Sequence, residues 1–90
     1  MAAAVRVRVT GRVQGVCYRA STRDQASALG LSGWVRNLSD GSVEAWLEGD
    51  QARIDEMLAW MRQGPEHAQV LSLEQTPCPA AGHQCFEVRR

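Results

Sequence analysis

An arginine stands at the second position of a predicted helix, directly after a segment with two glycines, and this arrangement could bind an anion. The segment is Gly11-Arg12-Val13-Gln14-Gly15-Val16-Cys17-Tyr18-Arg19. No Ser, Thr, Asp or Asn is placed to cap the helix, and Arg19 adds a cation where the helix macrodipole is already positive. A phosphate or carboxylate could accept hydrogen bonds from the free N–H groups and from the guanidinium together. The alternative is that Gly11 and Gly15 only form a turn, because short glycine motifs also occur in many unrelated sequences.

The composition limits the classes of protein to which the chain can belong. Its 90 residues are enough for one domain, which we expect to span residues 1–90. Ten basic residues, all of them arginine, balance ten acidic residues, so the chain lacks the basic patch of a general nucleic-acid binder. No apolar run approaches the length of a membrane span, and the start at 1–6 is too short for the apolar region of a signal peptide. We therefore expect no nucleic-acid and no membrane partner.

Three cysteines cannot all pair within the chain, so we expect reduced thiols and a cytoplasmic location. Cys78 and Cys85 bracket a predicted loop and could form a disulfide, although their spacing does not fix the necessary geometry. Together with His83 they would supply three zinc ligands, without the Cys-x2-Cys pairs of structural zinc sites. Free surface thiols are the favoured interpretation.

Hydrophobic periodicity predicts the elements that position the anion site. Val5, Val7 and Val9 alternate with polar residues, as in a strand with one buried face. One helix is predicted to follow Cys17, and a second is predicted between Asp50 and Gly64. The other strands are predicted over residues 31–38, 42–48, 68–76 and 86–89. The order predicts an α+β fold, the ferredoxin-like split βαβ sandwich (βαββαβ), with an antiparallel sheet and two helices on one face.

This topology brings a second polar residue to the anion site. The first two strands are predicted to run parallel with the third between them, so their C-terminal ends lie at one edge, about 10 Å apart. The glycine segment leaves the first strand at that edge, and Asn37 stands near the end of the second strand. Asn37 is therefore expected to face the anion site, although an Asn before a hairpin is also a common turn former.

Two segments of the chain resemble the two signatures of the acylphosphatase family. The segment Gly11 to Arg19 resembles the first, and Gly33-Trp34-Val35-Arg36-Asn37-Leu38-Ser39-Asp40-Gly41-Ser42-Val43-Glu44 resembles the second. The similarity extends to the ending Phe86-Glu87-Val88-Arg89. It implies hydrolysis of the carboxyl-phosphate bond of small acyl phosphates, such as acetyl phosphate, to a carboxylate and inorganic phosphate, without metal or cofactor.

The resemblance also implies the roles of particular residues. Arg19 would bind the phosphoryl group, for which its planar fork of donors is suited, and Asn37 would orient the attacking water. The other phosphate donors would be backbone N–H groups of the loop, namely those of Gln14, Gly15, Val16, Cys17 and Tyr18. The expected partner is a small-molecule acyl phosphate, the expected inhibitors are inorganic phosphate and sulfate, and the protein is expected to be a monomer.

Two other functions fit parts of the same sequence. Cys17 and Arg23 have the Cys-x5-Arg spacing of phosphatases with a cysteine nucleophile, and a helix N-terminus lowers the pKa of a thiol. Such a loop wraps the phosphate, whereas these residues follow a helical pattern. A ferredoxin-like sheet can also bind RNA without catalysis, through aromatic residues on its open face. Trp46 is expected there between Glu44 and Glu48, whose carboxylates repel a phosphate backbone.

Overall fold

The structure, a computed structural model, describes residues 2–15 and 17–89, and its elements follow one another in the predicted order. These elements are β1 (Ala3–Arg12), α1 (Tyr18–Ala28), β2 (Ser32–Asn37), β3 (Val43–Gly49), α2 (Gln51–Gln63), β4 (Gln69–Cys78) and β5 (Phe86–Val88). The strand order in the sheet is β4-β1-β3-β2-β5. The ferredoxin-like α+β prediction is confirmed. The pairs among β1 to β4 are antiparallel as predicted, and β5 adds to the edge of β2 in the parallel direction.

One face of the sheet carries the hydrophobic core. Val5, Val7 and Val9 are buried on β1, as their alternation predicts. Helix α1 packs on β2 and β5, whereas α2 packs on β1, β3 and β4. The helices contribute Tyr18, Thr22, Ala26, Ile54, Met57, Leu58 and Met61 to the buried residues. Both helices therefore cover the same face, and β3 separates β1 from β2 as the topology requires.

The end of β1 differs from the prediction. The glycine segment that starts at Gly11 is predicted to follow the first strand, but β1 continues through Gly11 to Arg12, with a register shift against β4 between Thr10 and Gly11. Gly11 has a φ of 123°, and a Cβ built on it would lie 2.1 Å from the carbonyl oxygen of Gln69. A glycine is thus required at this bulge because the β4 backbone approaches closely. The loop before α1 begins only at Val13.

Tyr18 anchors the first residue of α1 to the other helix. Its side chain is buried, and its hydroxyl donates a hydrogen bond to the carbonyl oxygen of Met61 at 2.8 Å. Burial raises the pKa of the Tyr18 hydroxyl, which therefore stays protonated and remains a donor. The ring of Trp60 packs on it with 6.0 Å between centroids. These contacts fix the N-terminus of α1 relative to the core.

The segment between β4 and β5 is free of covalent cross-links. Cys17, Cys78 and Cys85 are all free thiols in this structure. Within residues 2–15 and 17–89, no three His, Cys, Asp or Glu side chains form a group that could hold a metal ion. Cys78, His83 and Cys85 therefore do not assemble into the zinc site considered from the sequence.

A buried carboxylate holds this segment in place. Glu48 is only 4% exposed and accepts two hydrogen bonds on each oxygen. The donors are Trp46 Nε1 at 3.0 Å and the N–H groups of Ala81 at 2.9 Å, Gly82 at 2.8 Å and His83 at 3.2 Å. Burial disfavours the charged form of Glu48, but these donors outweigh that effect, and the pKa of Glu48 is lowered. The segment thereby covers one end of the open face of the sheet.

We expect the stability of the protein in acid to depend on Glu48. Because its folded-state pKa is lowered, its stabilising effect is complete above the unfolded value of about 4.3 and is lost as the pH falls through the folded value. Glu48→Gln should lower the Tm at neutral pH and flatten the decline of Tm below about pH 5. The measurement is Tm by circular dichroism between about pH 3 and pH 7.

The control for this prediction is Glu56→Gln, which removes the same charge from an exposed ion pair with Arg53 on α2. This variant should keep the wild-type Tm and its pH dependence, because exposed ion pairs contribute little. A decline of Tm in Glu48→Gln that runs parallel to the wild type below about pH 5 would contradict the prediction.

Candidate active site

A cleft of about 390 Å³ lies where β2 ends and α1 begins. It brings together most of the residues predicted from the sequence to bind or process an anion: Gly15, Cys17, Tyr18, Arg19 and Asn37. Its other lining residues are Val13, Ala20, Arg23 and Val88. The strand order predicted that Asn37 would face the glycine loop, and the two meet in this cleft. Val16, which was also predicted to contribute a backbone N–H, lies outside the described residues.

The start of α1 has backbone N–H groups directed out of the helix and no side chain to cap them. Cys17 occupies the N-cap position with φ 62° and ψ 22°, a left-handed conformation, and makes no side-chain capping bond. The first intrahelical bond runs from the N–H of Ser21 to the carbonyl of Cys17 at 3.0 Å. The N–H groups of Tyr18, Arg19 and Ala20 precede it and have no acceptor within the helix. With no acidic residue in the first turn, this end of α1 attracts anions.

The side chain of Gln14 connects two segments that border the cleft. Its Nε2 donates hydrogen bonds to the carbonyl oxygens of Leu38 at 2.8 Å and Ser42 at 2.9 Å. These two carbonyls flank the turn between β2 and β3, in which the N–H of Leu38 also bonds to the carbonyl of Ser42 at 2.8 Å. Gln14 does not line the cleft. It ties the loop that precedes α1 to the turn that follows Asn37.

Asn37 is the last residue of β2 and pairs with Val43 on β3. Its side chain lies on the same side of the strand as that of Val35, which is fully buried beneath the helices. The Oδ1 atom of Asn37 is buried and has no hydrogen-bond partner among the described residues. A buried amide oxygen without a hydrogen-bond partner destabilises the folded state by about 1 to 3 kcal/mol. Such an exception to full hydrogen bonding calls for a functional explanation.

Arg19 retains most of its donors for a ligand. Its Nη1 donates to the carbonyl oxygen of Arg89 at 3.2 Å. No ion pair joins Arg19 to a carboxylate within residues 2–15 and 17–89. The nearby carboxylate of Glu87 binds the Arg89 side chain, with 2.9 Å between Oε1 and Nη2. The contact with the backbone of Arg89 therefore orients the Arg19 guanidinium without neutralising it.

The acidic residues of the second signature belong to a different part of the molecule. Asp40 binds Arg8 and Ser42, and these hydrogen bonds, with Ser42 contributing most, lower the pKa of the Asp40 carboxyl. Glu44 binds Arg36 with 2.6 Å between Oε1 and Nη2. Among the described residues that line the cleft, none is acidic. The lining of the cleft thus combines N–H groups, two arginines and an amide oxygen without a partner among the described residues.

These features define a small ferredoxin-like domain with a cleft at the N-terminus of its first helix. The comparisons with known proteins specify the family. The family model described as Acylphosphatase matches residues 5–88. The chain belongs to the acylphosphatase family, whose members hydrolyse acyl phosphates, and it is such a hydrolase.

Individual relatives agree with this assignment. An acylphosphatase of Rubrobacter xylanophilus is 55% identical over 86 residues, which cover 94% of this chain and 78% of the relative. An acylphosphatase of Methanocella arvoryzae is 52% identical over 86 residues, covering 96% and 98% of the two chains. The solved structure of an acylphosphatase from Coxiella burnetii has a TM-score of 0.95 at 36% identity and covers 98% of this chain and 93% of its own.

The two alternative functions fit the geometry less well. Arg23 lies in the second turn of α1, so the residues between Cys17 and Arg23 form a helix and do not wrap around a phosphate. On the open face of the sheet, Glu44 is paired with Arg36, and Trp46 donates its N–H to Glu48. That face therefore offers few groups for a nucleic-acid backbone. No helix in the described part of the chain is long and apolar enough to span a membrane.

We expect Cys17→Ser to retain the wild-type kcat within about threefold. The substitution preserves the backbone N–H and a similar volume, and it removes only the thiol, which a water mechanism does not use. A cysteine nucleophile would instead be replaced by a hydroxyl that is not ionised near neutral pH. The measurement is kcat with benzoyl phosphate, together with acid quenching to detect phosphorylated protein.

The outcome separates the two phosphatase mechanisms. An inactive but folded Cys17→Ser variant, or accumulation of phosphocysteine in the wild type, would refute the water mechanism. Cys85→Ser is a matched control, since Cys85 is also an exposed free thiol but does not line the cleft.

Proposed function

We propose that Arg19 and the loop amides bind the phosphoryl group of an acyl phosphate and that Asn37 positions the water that attacks it. The observation that carries this proposal is the buried Oδ1 of Asn37, which has no hydrogen-bond partner among residues 2–15 and 17–89 and belongs to the cleft that also contains the start of α1 and Arg19. An acceptor of this kind can receive a hydrogen bond from a water molecule and orient it toward the phosphorus.

The reaction needs little covalent chemistry from the protein. The oxygen of water forms a bond to phosphorus while the bond between phosphorus and the acyl oxygen breaks, and the electron pair leaves with the carboxylate. Negative charge is spread over the equatorial phosphoryl oxygens in the transition state. The Arg19 guanidinium can bind two of these oxygens at once, and the N–H groups of the loop and of Tyr18 can bind others.

The proton of the attacking water goes to the phosphoryl group of the substrate. Among the described residues that line the cleft, none has a carboxylate or an imidazole to accept it. The carboxylate leaving group is a weak base and needs no general acid. Catalysis in this proposal therefore depends on position and charge, for which a preorganised cleft is sufficient.

The proposal also covers the inhibitors of the protein, its oligomeric state and its location. We expect inorganic phosphate and sulfate to bind at Arg19 as competitive inhibitors, because they present the same oxygens. We propose that residues 1–90 form one domain that acts as a monomer, since the residues to which we assign roles in the cleft all belong to one chain. The three free thiols are consistent with a reducing compartment such as the cytoplasm.

Arg19→Ala should lower kcat for acetyl phosphate by about a thousandfold, the scale for loss of a principal charge-stabilising donor. Arg19→Lys should restore little of this activity, because an ammonium cannot bind two oxygens in a planar fork. The measurement is steady-state hydrolysis in the presence of EDTA, with Tm as the check on folding. Near wild-type kcat in Arg19→Lys would show that bidentate binding is not the role of Arg19.

Anion binding provides an independent readout for the same variants. Inorganic phosphate should raise the Tm of the wild type, because a ligand that binds only the folded state stabilises it by mass action. The shift should be absent in Arg19→Ala and present in Arg62→Ala, which removes a cation from the last turn of α2. An unchanged shift in Arg19→Ala would locate the anion elsewhere.

Asn37→Ala should lower kcat by about a hundredfold and leave the Kd for inorganic phosphate nearly unchanged, because Asn37 positions water and does not hold the anion. The test combines hydrolysis kinetics with calorimetric titration of phosphate. A loss of phosphate affinity as large as the loss of kcat would mean that Asn37 binds the phosphoryl group instead.

A further inference from the structure

A second arginine lies in the cleft without a role in the phosphoryl chemistry. Arg23 follows Arg19 by four residues on α1, and both line the same cleft. Side chains four residues apart lie on one face of a helix. Helical side chains also lean toward the N-terminus, so the side chain of Arg23 covers the turn that precedes its own Cα. This explains how a residue of the second turn reaches a cleft at the beginning of the helix.

The charge of Arg23 is available to a ligand. Its ionic partner is its sequence neighbour Asp24, with 3.3 Å between Nη2 and Oδ1, and the two side chains are 47% and 72% exposed. Exposed pairs of this kind are weak. Asp24 does not line the cleft, and neither does any other acidic residue of the described part of the chain. Two arginines thus line a cleft that has no acidic residue among its described lining residues.

The cleft has room for more than a phosphoryl group. Its volume is about 390 Å³, and Val13, Ala20 and Val88 give it apolar walls against which a short carbon chain can pack. Because an α-helix rises about 1.5 Å per residue, the two arginines, four residues apart, are separated by about 6 Å along the axis. In an extended acyl phosphate with a four-carbon acyl group, the five bonds from phosphorus to the last carbon each advance about 1.25 Å and together span about 6 Å. A substrate with its phosphoryl group at Arg19 would therefore place the far end of such an acyl group near Arg23.

We propose that Arg23 is a specificity-determining residue that binds a second anionic group on the acyl part of the substrate. The favoured substrate class is then the acyl phosphate of a short dicarboxylic acid, or an acyl phosphate with another anionic substituent at that distance. The inference rests on the proposed function, because it requires the phosphoryl group to bind at Arg19.

The test compares two substrates of equal acyl length, succinyl phosphate and butyryl phosphate, which differ in a terminal carboxylate or methyl group. The quantity measured is the ratio of their kcat/KM values at low ionic strength, where screening of charges is weakest, after subtraction of hydrolysis without enzyme. In the wild type we expect this ratio to be above one. Arg23→Gln should lower the ratio about tenfold, and Arg23→Lys should restore most of it because the charge is retained.

Arg53→Gln is the matched control. Arg53 is also an exposed arginine paired with a carboxylate on a helix, at 3.0 Å from Glu56, but it does not line the cleft. Its substitution removes the same charge and should leave the ratio unchanged. A ratio in Arg23→Gln within about twofold of the wild type, or an equal decrease in Arg53→Gln, would overturn the inference.

The two levels of the proposal fail in different ways. If the inference on Arg23 is wrong, both substrates are still hydrolysed and the ratio does not respond to residue 23. If the proposed function is wrong, Arg19→Ala hydrolyses both substrates as fast as the wild type. Tm values of all variants establish that they are folded, which is expected because Arg23 is exposed.

Discussion

The side-chain amide of Gln14 holds the two halves of the active-site cleft together. One half contains Gly15 and the helix start at Cys17, Tyr18 and Arg19, and the other is the end of β2 with Asn37. Strand β3 lies between β1 and β2, so no backbone ladder joins the two halves directly. The two bonds from Gln14 to the carbonyls of Leu38 and Ser42 provide this connection. Each contributes about 1 kcal/mol, but the distance they fix matters more, since a displacement of about 1 Å can cost about a hundredfold in rate.

The cleft is built at the expense of local stability. The left-handed conformation of Cys17 costs of order 1 to 3 kcal/mol for a residue other than glycine, and Arg19 stands at the unfavourable end of the helix dipole. The adjacent residue compensates: Tyr18 is buried in the core and bonds to Met61. Anchoring the first helical residue allows the N–H groups next to it to stay uncapped. An anion bound there would supply the missing acceptors.

The fold could be predicted from the sequence because each element has its own periodicity. The alternating valines of β1 and the apolar stripe of α2 indicate which faces are buried. The order of the elements then restricts the possible topologies. Gly11 was misinterpreted because glycine is common both in loops and at bulges. Only the approach of the β4 backbone, which is distant in sequence, distinguishes these two cases.

The geometry of the cleft follows from the sequence only in part. Asn37 could be placed from topology alone, since strand order determines which strand ends share an edge. The role of the Gln14 side chain could not be predicted, because its acceptors lie 24 and 28 residues away in sequence. Its rotamer therefore depends on contacts that form only in the folded protein. In the sequence, Arg23 stands out by its spacing from Cys17. In the structure it lines the same cleft as Arg19, which precedes it by four residues.

The distribution of charge explains how a chain with no net charge can attract anionic substrates. Arg8 and Arg36 form ion pairs with Asp40 and Glu44, and the carboxylate of Glu48 is surrounded by N–H donors. The negative charge of these three carboxylates is thereby balanced by their own partners, and none of the three lines the cleft. Arg19 at the positive end of α1 forms no ion pair within the described part of the chain, and Asp24, the partner of Arg23, lies outside the cleft. Separation of paired and unpaired charge within one small domain creates a local positive field, which guides an anion toward the site without making the whole protein basic.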